Sequence, residues 1–141
     1  MKHLHENLYV AGQISAQDFE QLAKAGIKII INNRPDNEEP NQLSAEQASE
    51  LAKSHDIEYH FLPMSNNQPL TQETVDSFKN IVDSSSDSIL AHCRSGMRST
   101  FIWALGQLVS DNITVDQAIE AATQAGIPLA NQRAILESVG Q

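Results

Sequence analysis

The stretch Ser88 to Leu105, SILAHCRSGMRSTFIWAL, decides the reading of this chain. Ser88-Ile89-Leu90-Ala91 is a short apolar run of strand character, and Thr100 to Leu105 reads as the start of a buried helix. Between them lies the turn His92-Cys93-Arg94-Ser95-Gly96-Met97-Arg98-Ser99, which holds the only cysteine. A thiol on a tight turn at a helix N-terminus sits where backbone N–H groups and the helix dipole favour negative charge. Such a position biases a thiol toward the nucleophilic thiolate.

Strand and helix signals alternate on both sides of this turn. Upstream, Leu8-Tyr9-Val10 is a strand candidate after a polar leader. Ser15 and Asp18 form a capping arrangement, and Ile14, Phe19, Leu22 and Ala23 give a helical stripe ended by Gly26. Ile27 to Ile31, interrupted only by Lys28, reads as an interior strand of a parallel sheet. Asn32 to Gln42 is a polar loop with prolines and acidic residues, leaving the sheet edge where ligands bind in α/β folds. Ser44 to His55 reads as a helix with Ser44 and Gln47 as its capping pair. Ile57, Tyr59 and Phe61 alternate as a strand, and Met64 to Leu70 makes a second loop on the same edge. Thr71 opens a helix to about Ser84, and Thr114 caps another that ends near Gly126 and Pro128. A last short helix is expected over Asn131 to Val139. The expectation is a single domain over residues 1–141, of α/β class, with a mostly parallel central sheet flanked by helices.

Composition narrows the function classes. Apolar residues make up 40% and charged residues 19%, values of a folded chain with one core. No apolar run approaches the ~20 residues of a membrane helix. The leader MKHLHENLYV lacks the apolar core of a signal peptide, so a cytoplasmic location is expected. One cysteine excludes an intramolecular disulfide and a CxxC redox pair. A net charge of −9 argues against nucleic acid or an anionic membrane as partner. It also makes Arg94 and Arg98, placed around Gly96, informative.

Gly96 allows the turn to aim its N–H groups inward, with Ser95 and Met97 completing the backbone of an anion nest. Arg98 and Arg94 supply charge-assisted donors for an oxyanion or a sulfur anion. The Ser99 hydroxyl is expected to donate to the Cys93 sulfur, and the His92 ring to order the loop from behind. The plain alternative is a buried structural cysteine. Two arginines, two serines and a glycine around it favour a reactive site. Arg34, in the acidic loop, either braces the cysteine loop in a pair with Glu38 or is a surface residue. The Asn32-Asn33 pair orders backbone between the loops or serves plain turn chemistry. Glu38 and Glu39 read as solvated, Trp103 as helix packing and His60 as structural. His3 and His5 lack partner ligands nearby, so neither metal nor cofactor is expected.

HCRSGMRS resembles the active-site loop of cysteine-dependent phosphatases and of rhodaneses. The segment GIKIIINNRPDNEEPNQ resembles the start of dual-specificity-phosphatase-like domains. Over about residues 4 to 110 the chain resembles a bacterial family of phosphatase-like domains, also found fused to metallo-β-lactamase-like persulfide-processing enzymes. The resemblance implies a dual-specificity-phosphatase-like fold, Cys93 as nucleophile and Arg98 as the anion-binding arginine.

Two departures from the phosphatase pattern rank the chemistries. That pattern has five residues between cysteine and arginine, whereas four separate Cys93 from Arg98, the rhodanese-type spacing. Related phosphatases also place an aspartate general acid in the loop after the preceding strand. Here Asn66 stands about where that acid is expected, and Pro63 to Gln68 contains no carboxylate. Protonating a leaving oxygen is worth roughly 100- to 10,000-fold, while a sulfur leaving group needs no strong acid. The expectation is therefore a sulfurtransferase working through a Cys93 persulfide. It would use a small sulfane-sulfur donor and an external thiol acceptor, since the chain has no second cysteine. The alternative is a phosphatase acting on a phosphorylated substrate through a Cys93 phosphocysteine. A third, non-enzymatic reading is an anion or persulfide sensor. The sequence leaves the oligomeric state open.

Overall fold

The computed structural model describes residues 1–65 and 67–139. In chain order its elements are β1 (Lys2–His5), β2 (Leu8–Ala11), α1 (Asp18–Lys24), β3 (Ile27–Asn32), α2 (Ala45–Ser54) and β4 (Glu58–Phe61). There follow α3 (Gln72–Ser84), β5 (Ser88–His92), α4 (Met97–Val109), α5 (Val115–Gln124), a 3-10 turn (Leu129–Gln132) and α6 (Arg133–Val139). The strands form one sheet in the order β1-β2-β5-β3-β4. The β1/β2 pair is antiparallel and every other pair is parallel. The fold is α/β with a mixed central sheet flanked by helices, mostly parallel as expected.

The continuous apolar run of β3 has a direct cause. Successive side chains of a strand point to opposite faces. Ile29 and Ile31 enter a core shared with α3, α4 and the C-terminal helices, while Ile30 enters a second core shared with α1 and α2, joined by Ile27 across the register irregularity that precedes Ile29. The central strand β5 divides in the same way, with Ile89 and Ala91 on one face and Leu90 on the other. A strand covered on both faces must be apolar throughout. Helix α4 is buried along almost its whole length, from Ser99 to Leu108 apart from Phe101, which fits a helix enclosed between the sheet and other helices. Trp103 and Phe78 are each 1% exposed and anchor this larger core. Truncating either to alanine should cost about 3–5 kcal/mol.

Local signals fix the helix starts. Ser44 with Gln47 and Thr114 with Gln117 form complete capping boxes, and the Thr71 side chain accepts the Thr74 N–H. Two expectations need correction. The polar leader is strand β1, whose edge position needs only Leu4 buried. Ser15 is not the cap of α1. Its N–H bonds to Asp18 at 2.7 Å in a separate turn, and the helix starts after Gln17.

Candidate active site

The parallel strands bring four chain segments together at their C-terminal edge, and main-chain hydrogen bonds fix them. Asn33 N–H donates to the His92 carbonyl (2.8 Å), Met64 N–H to the Asn33 carbonyl (3.1 Å) and Cys93 N–H to the Ala11 carbonyl (3.3 Å). The cysteine loop therefore emerges from the middle of the sheet with its base clamped on both sides.

Within the loop, the backbone sets the geometry. Gly96 has φ +93° and immediately precedes α4. That left-handed conformation turns its N–H onto the Cys93 Sγ at 3.1 Å, in a buried hydrogen bond. A side chain at Gly96 would also press on Ile127 Cδ1, with the added Cβ only 3.1 Å away. Gly12, on the neighbouring segment, lets the loop approach closely, since a Cβ there would lie 2.8 Å from the Arg94 carbonyl oxygen. The Thr100 hydroxyl closes the first helical turn by donating to the Gly96 carbonyl at 2.8 Å. Cys93 itself is 1% exposed.

Side chains build the rest of the site. Arg98 donates from Nη1 to the Met64 carbonyl (3.1 Å) and from Nη2 to Glu38 Oε1 (3.0 Å). Arg34 is 2% exposed and donates from Nε to the same Glu38 oxygen at 2.7 Å and from Nη1 to Gln13 Oε1 at 3.0 Å. Glu39 Oε1 lies 3.3 Å from Arg34 Nη2 and 3.1 Å from Arg94 Nη2. Partial burial pushes the Glu38 carboxyl up, but hydrogen bonds from Arg98 and Arg34 outweigh it and hold the group below its ordinary range. Two open clefts flank these glutamates. One, of about 690 Å³, lies between Asp36, Glu38, Phe61 and Gln68. The other, of about 790 Å³, lies between Gln13, Arg34, Glu39 and Arg94.

The structure thus joins Gly96 to Cys93, and Arg98 to Arg34 through Glu38, but it changes several expected roles. Ser99 does not donate to Cys93. Its place in the first turn of α4 aims the hydroxyl at Asn33 Oδ1, 2.8 Å away and buried. The His92 ring does not order the loop through hydrogen bonds, because both ring nitrogens are buried without a well-formed partner. Burial pushes His92 down to about 4, helped by the Arg34 charge and opposed by the nearby Cys93 backbone, so the ring is neutral near pH 7. Arg94 points its largely exposed side chain to Glu39. Ser95 lies in the loop and Met97 is the first residue of α4. Asn66 lies outside the described residues.

Glu38 and Glu39 are exposed as expected, and they are also ion-pair partners of arginines. The Asn pair is a built connection. Asn32 Oδ1 accepts the Arg34 N–H at 2.8 Å and its amide donates to Tyr59 Oη at 2.9 Å, while Asn33 donates to the Leu62 carbonyl at 2.9 Å. Gln13 and Gly12 were missed from sequence, and a lone glycine after a short strand was the only available signal. Among the described residues, no cluster of three or more His, Cys, Asp or Glu is placed to hold a metal ion. No helix there is long and apolar enough to cross a membrane.

The Cys93 thiol lies under the Gly96 N–H at the mouth of α4, and Arg98 is the second residue of that helix. The site sits on a fold of the protein tyrosine and dual-specificity phosphatase kind. The chain belongs to the family described as "Beta-lactamase hydrolase-like protein, phosphatase-like domain", whose model matches residues 1–110. A Beta-lactamase hydrolase-like protein of Xylella fastidiosa is 30% identical over 122 residues, covering 86% of this chain and 28% of the relative. The chain therefore spans under a third of that relative's length. A Neisseria meningitidis protein described as a candidate phosphatase has a solved structure that is 31% identical, with TM-score 0.86, covering 98% of this chain and 96% of that one. A kinase associated phosphatase, solved with its catalytic-site cysteine replaced by serine, shares the fold at 20% identity and TM-score 0.74, covering 93% and 84%.

Proposed function

We propose that this chain is a Cys93-nucleophile enzyme that relays sulfane sulfur as a Cys93 persulfide. The observation that carries the reading is the state of the carboxylates nearest the loop. Glu38 and Glu39 are both engaged by arginines, and Glu38 is held ionised. An ionised, doubly paired carboxylate is a poor proton donor to a leaving oxygen. Sulfur transfer does not need one. The thiolate attacks the sulfane sulfur, the S–S bond of the donor breaks, and the donor leaves as an anion with the bonding electrons. A thiol acceptor then attacks the outer persulfide sulfur and regenerates the Cys93 thiolate. The Gly96 N–H at the start of α4 faces the Cys93 sulfur, and in this reading Arg98 would meet the incoming donor. The four-residue interval between Cys93 and Arg98 supports the same reading, because it leaves a smaller nest.

The comparisons favour a second reading, phosphoester hydrolysis through a Cys93 phosphocysteine. The family carries a phosphatase-like description, and both structural relatives named above are described as phosphatases. In that reaction Arg98 would hold two phosphoryl oxygens, and the leaving oxygen would take its proton from solvent or substrate.

Parallel assays separate the two. With cysteine persulfide, native chain should gain one sulfur in intact mass and Cys93→Ser none. With p-nitrophenyl phosphate, native chain should show no turnover that depends on Cys93. Turnover lost in Cys93→Ser, with no sulfur uptake from any donor, would replace the first reading by the second.

A further inference from the structure

Glu38 stands in an unusual place for a carboxylate. It occupies one face of the arginine that the reaction needs for its substrate. Its Oε1 bridges Arg98 Nη2 (3.0 Å) and Arg34 Nε (2.7 Å). Arg34 is buried and makes a further hydrogen bond to the site wall, donating to Gln13 Oε1 at 3.0 Å. The bridge is thus anchored on its Arg34 side and shared on its Arg98 side. Arg98 Nη1 also donates to the Met64 carbonyl. Three arginines, Arg34, Arg94 and Arg98, face two glutamates, Glu38 and Glu39. The cluster carries one net positive charge before the Cys93 thiolate is counted.

We propose that Glu38 sets the charge this site accepts, making it select singly charged organic persulfides over dianions such as thiosulfate. This rests on the sulfur-transfer reading above. Once the Cys93 thiolate is counted the cluster is neutral, so it offers no spare positive charge to a second negative charge on the donor. A second charge would face the ionised Glu38 in a partly buried place where like charges repel strongly. The cleft beside Glu38 agrees with the choice of donor. Its lining holds Asp36 and Glu38 and no cation, which repels dianions on approach. It also presents the ring of Phe61, 39% exposed, as an apolar rest for an organic substituent. Inorganic thiosulfate has no group to use it. Sulfur enters in a balanced step: the Cys93 thiolate takes the outer sulfur of RSS⁻, giving the Cys93 persulfide anion and RS⁻.

The test reads anion binding apart from chemistry. Iodoacetamide alkylation of Cys93 is followed with sulfate or methanesulfonate as protectant, two tetrahedral sulfur oxyanions that differ by one charge. In native chain, methanesulfonate should protect at lower concentration than sulfate. Glu38→Gln, which keeps an oxygen for both arginines, should tighten sulfate by about tenfold, a change of about 1.4 kcal/mol, and methanesulfonate, with half the charge, by only about threefold. Sulfate as the better protectant of native chain would overturn the proposal, and so would unchanged sulfate affinity in a folded Glu38→Gln. Should that variant fail to fold, the order measured on native chain decides.

Donors give the second arm. The rate of sulfur addition from cysteine persulfide relative to thiosulfate should fall about threefold in Glu38→Gln, by the same electrostatics. An unchanged ratio overturns the assignment of donor class. No sulfur addition from either donor defeats the transfer reading, and with it the donor class, while the protection order still decides whether Glu38 filters charge.

Discussion

The two loops that meet at Cys93 are built by different physics. The loop after β5 is a backbone object. Gly96 in its left-handed conformation, the Gly96 N–H on sulfur and the start of α4 all lie within a few residues of the cysteine. The loop after β3 is a side-chain object. It holds its place through Asn32, Arg34, Glu38 and Glu39, and through partners as distant in sequence as Arg98 and Gln13. In the proposed reading the first presents the nucleophile and the second meters the charge around it. A site assembled this way can keep one reaction centre while its selectivity changes through the second loop.

Removing the link between the loops should have the largest effect. Arg98→Ala takes away the guanidinium and frees Glu38 toward the sulfur. Sulfur uptake by Cys93, followed by intact mass against time, should slow by about 100-fold or more. A loss of only a few-fold would detach Arg98 from the site. Arg34→Ala attacks the side-chain loop alone. It leaves Glu38 with one fewer partner and a void where a buried guanidinium stood, and should cost about 3 kcal/mol in urea unfolding.

The pH dependence comes from the residue before the cysteine. Burial holds the His92 ring neutral, pushed down to about 4 from its ordinary 6.5. Between those values the unfolded chain binds a proton that the fold refuses, so stability falls as pH drops. From pH 7 to pH 5 the loss should be on the order of 2 kcal/mol, and His92→Gln should flatten that slope. The smallest effect should come from the backbone loop, where Gly96→Ala forces a side chain into left-handed backbone at a cost of about 1–2 kcal/mol. It should nevertheless slow sulfur uptake more than Arg34→Ala does, because it moves the N–H that faces sulfur. The reverse order would mean that the two loops do not divide their roles as described.

What could be read from the chain follows the same division. The strand–turn–helix around Cys93, the doubly covered strand Ile27–Asn32 and the caps at Ser44, Thr71 and Thr114 are local, and local patterns display them. The Ser99 hydroxyl was assigned to sulfur because the two residues are neighbours in sequence. The helix instead aims it at Asn33, a residue 66 positions away. The Arg34–Glu38 pair lies within one loop and is legible, whereas nothing local marks the pairing of Glu38 and Glu39 with Arg98 and Arg94, which arrive from another loop. β1 escaped notice because an edge strand with one buried side chain has almost no periodicity.

The most direct measurement is the intact mass of native chain after cysteine persulfide, and again after glutathione is added as acceptor. One sulfur should appear on Cys93 and then pass to the thiol, with Cys93→Ser unmodified throughout. An unmodified Cys93 in native chain, together with phosphate release that depends on that cysteine, would contradict the account.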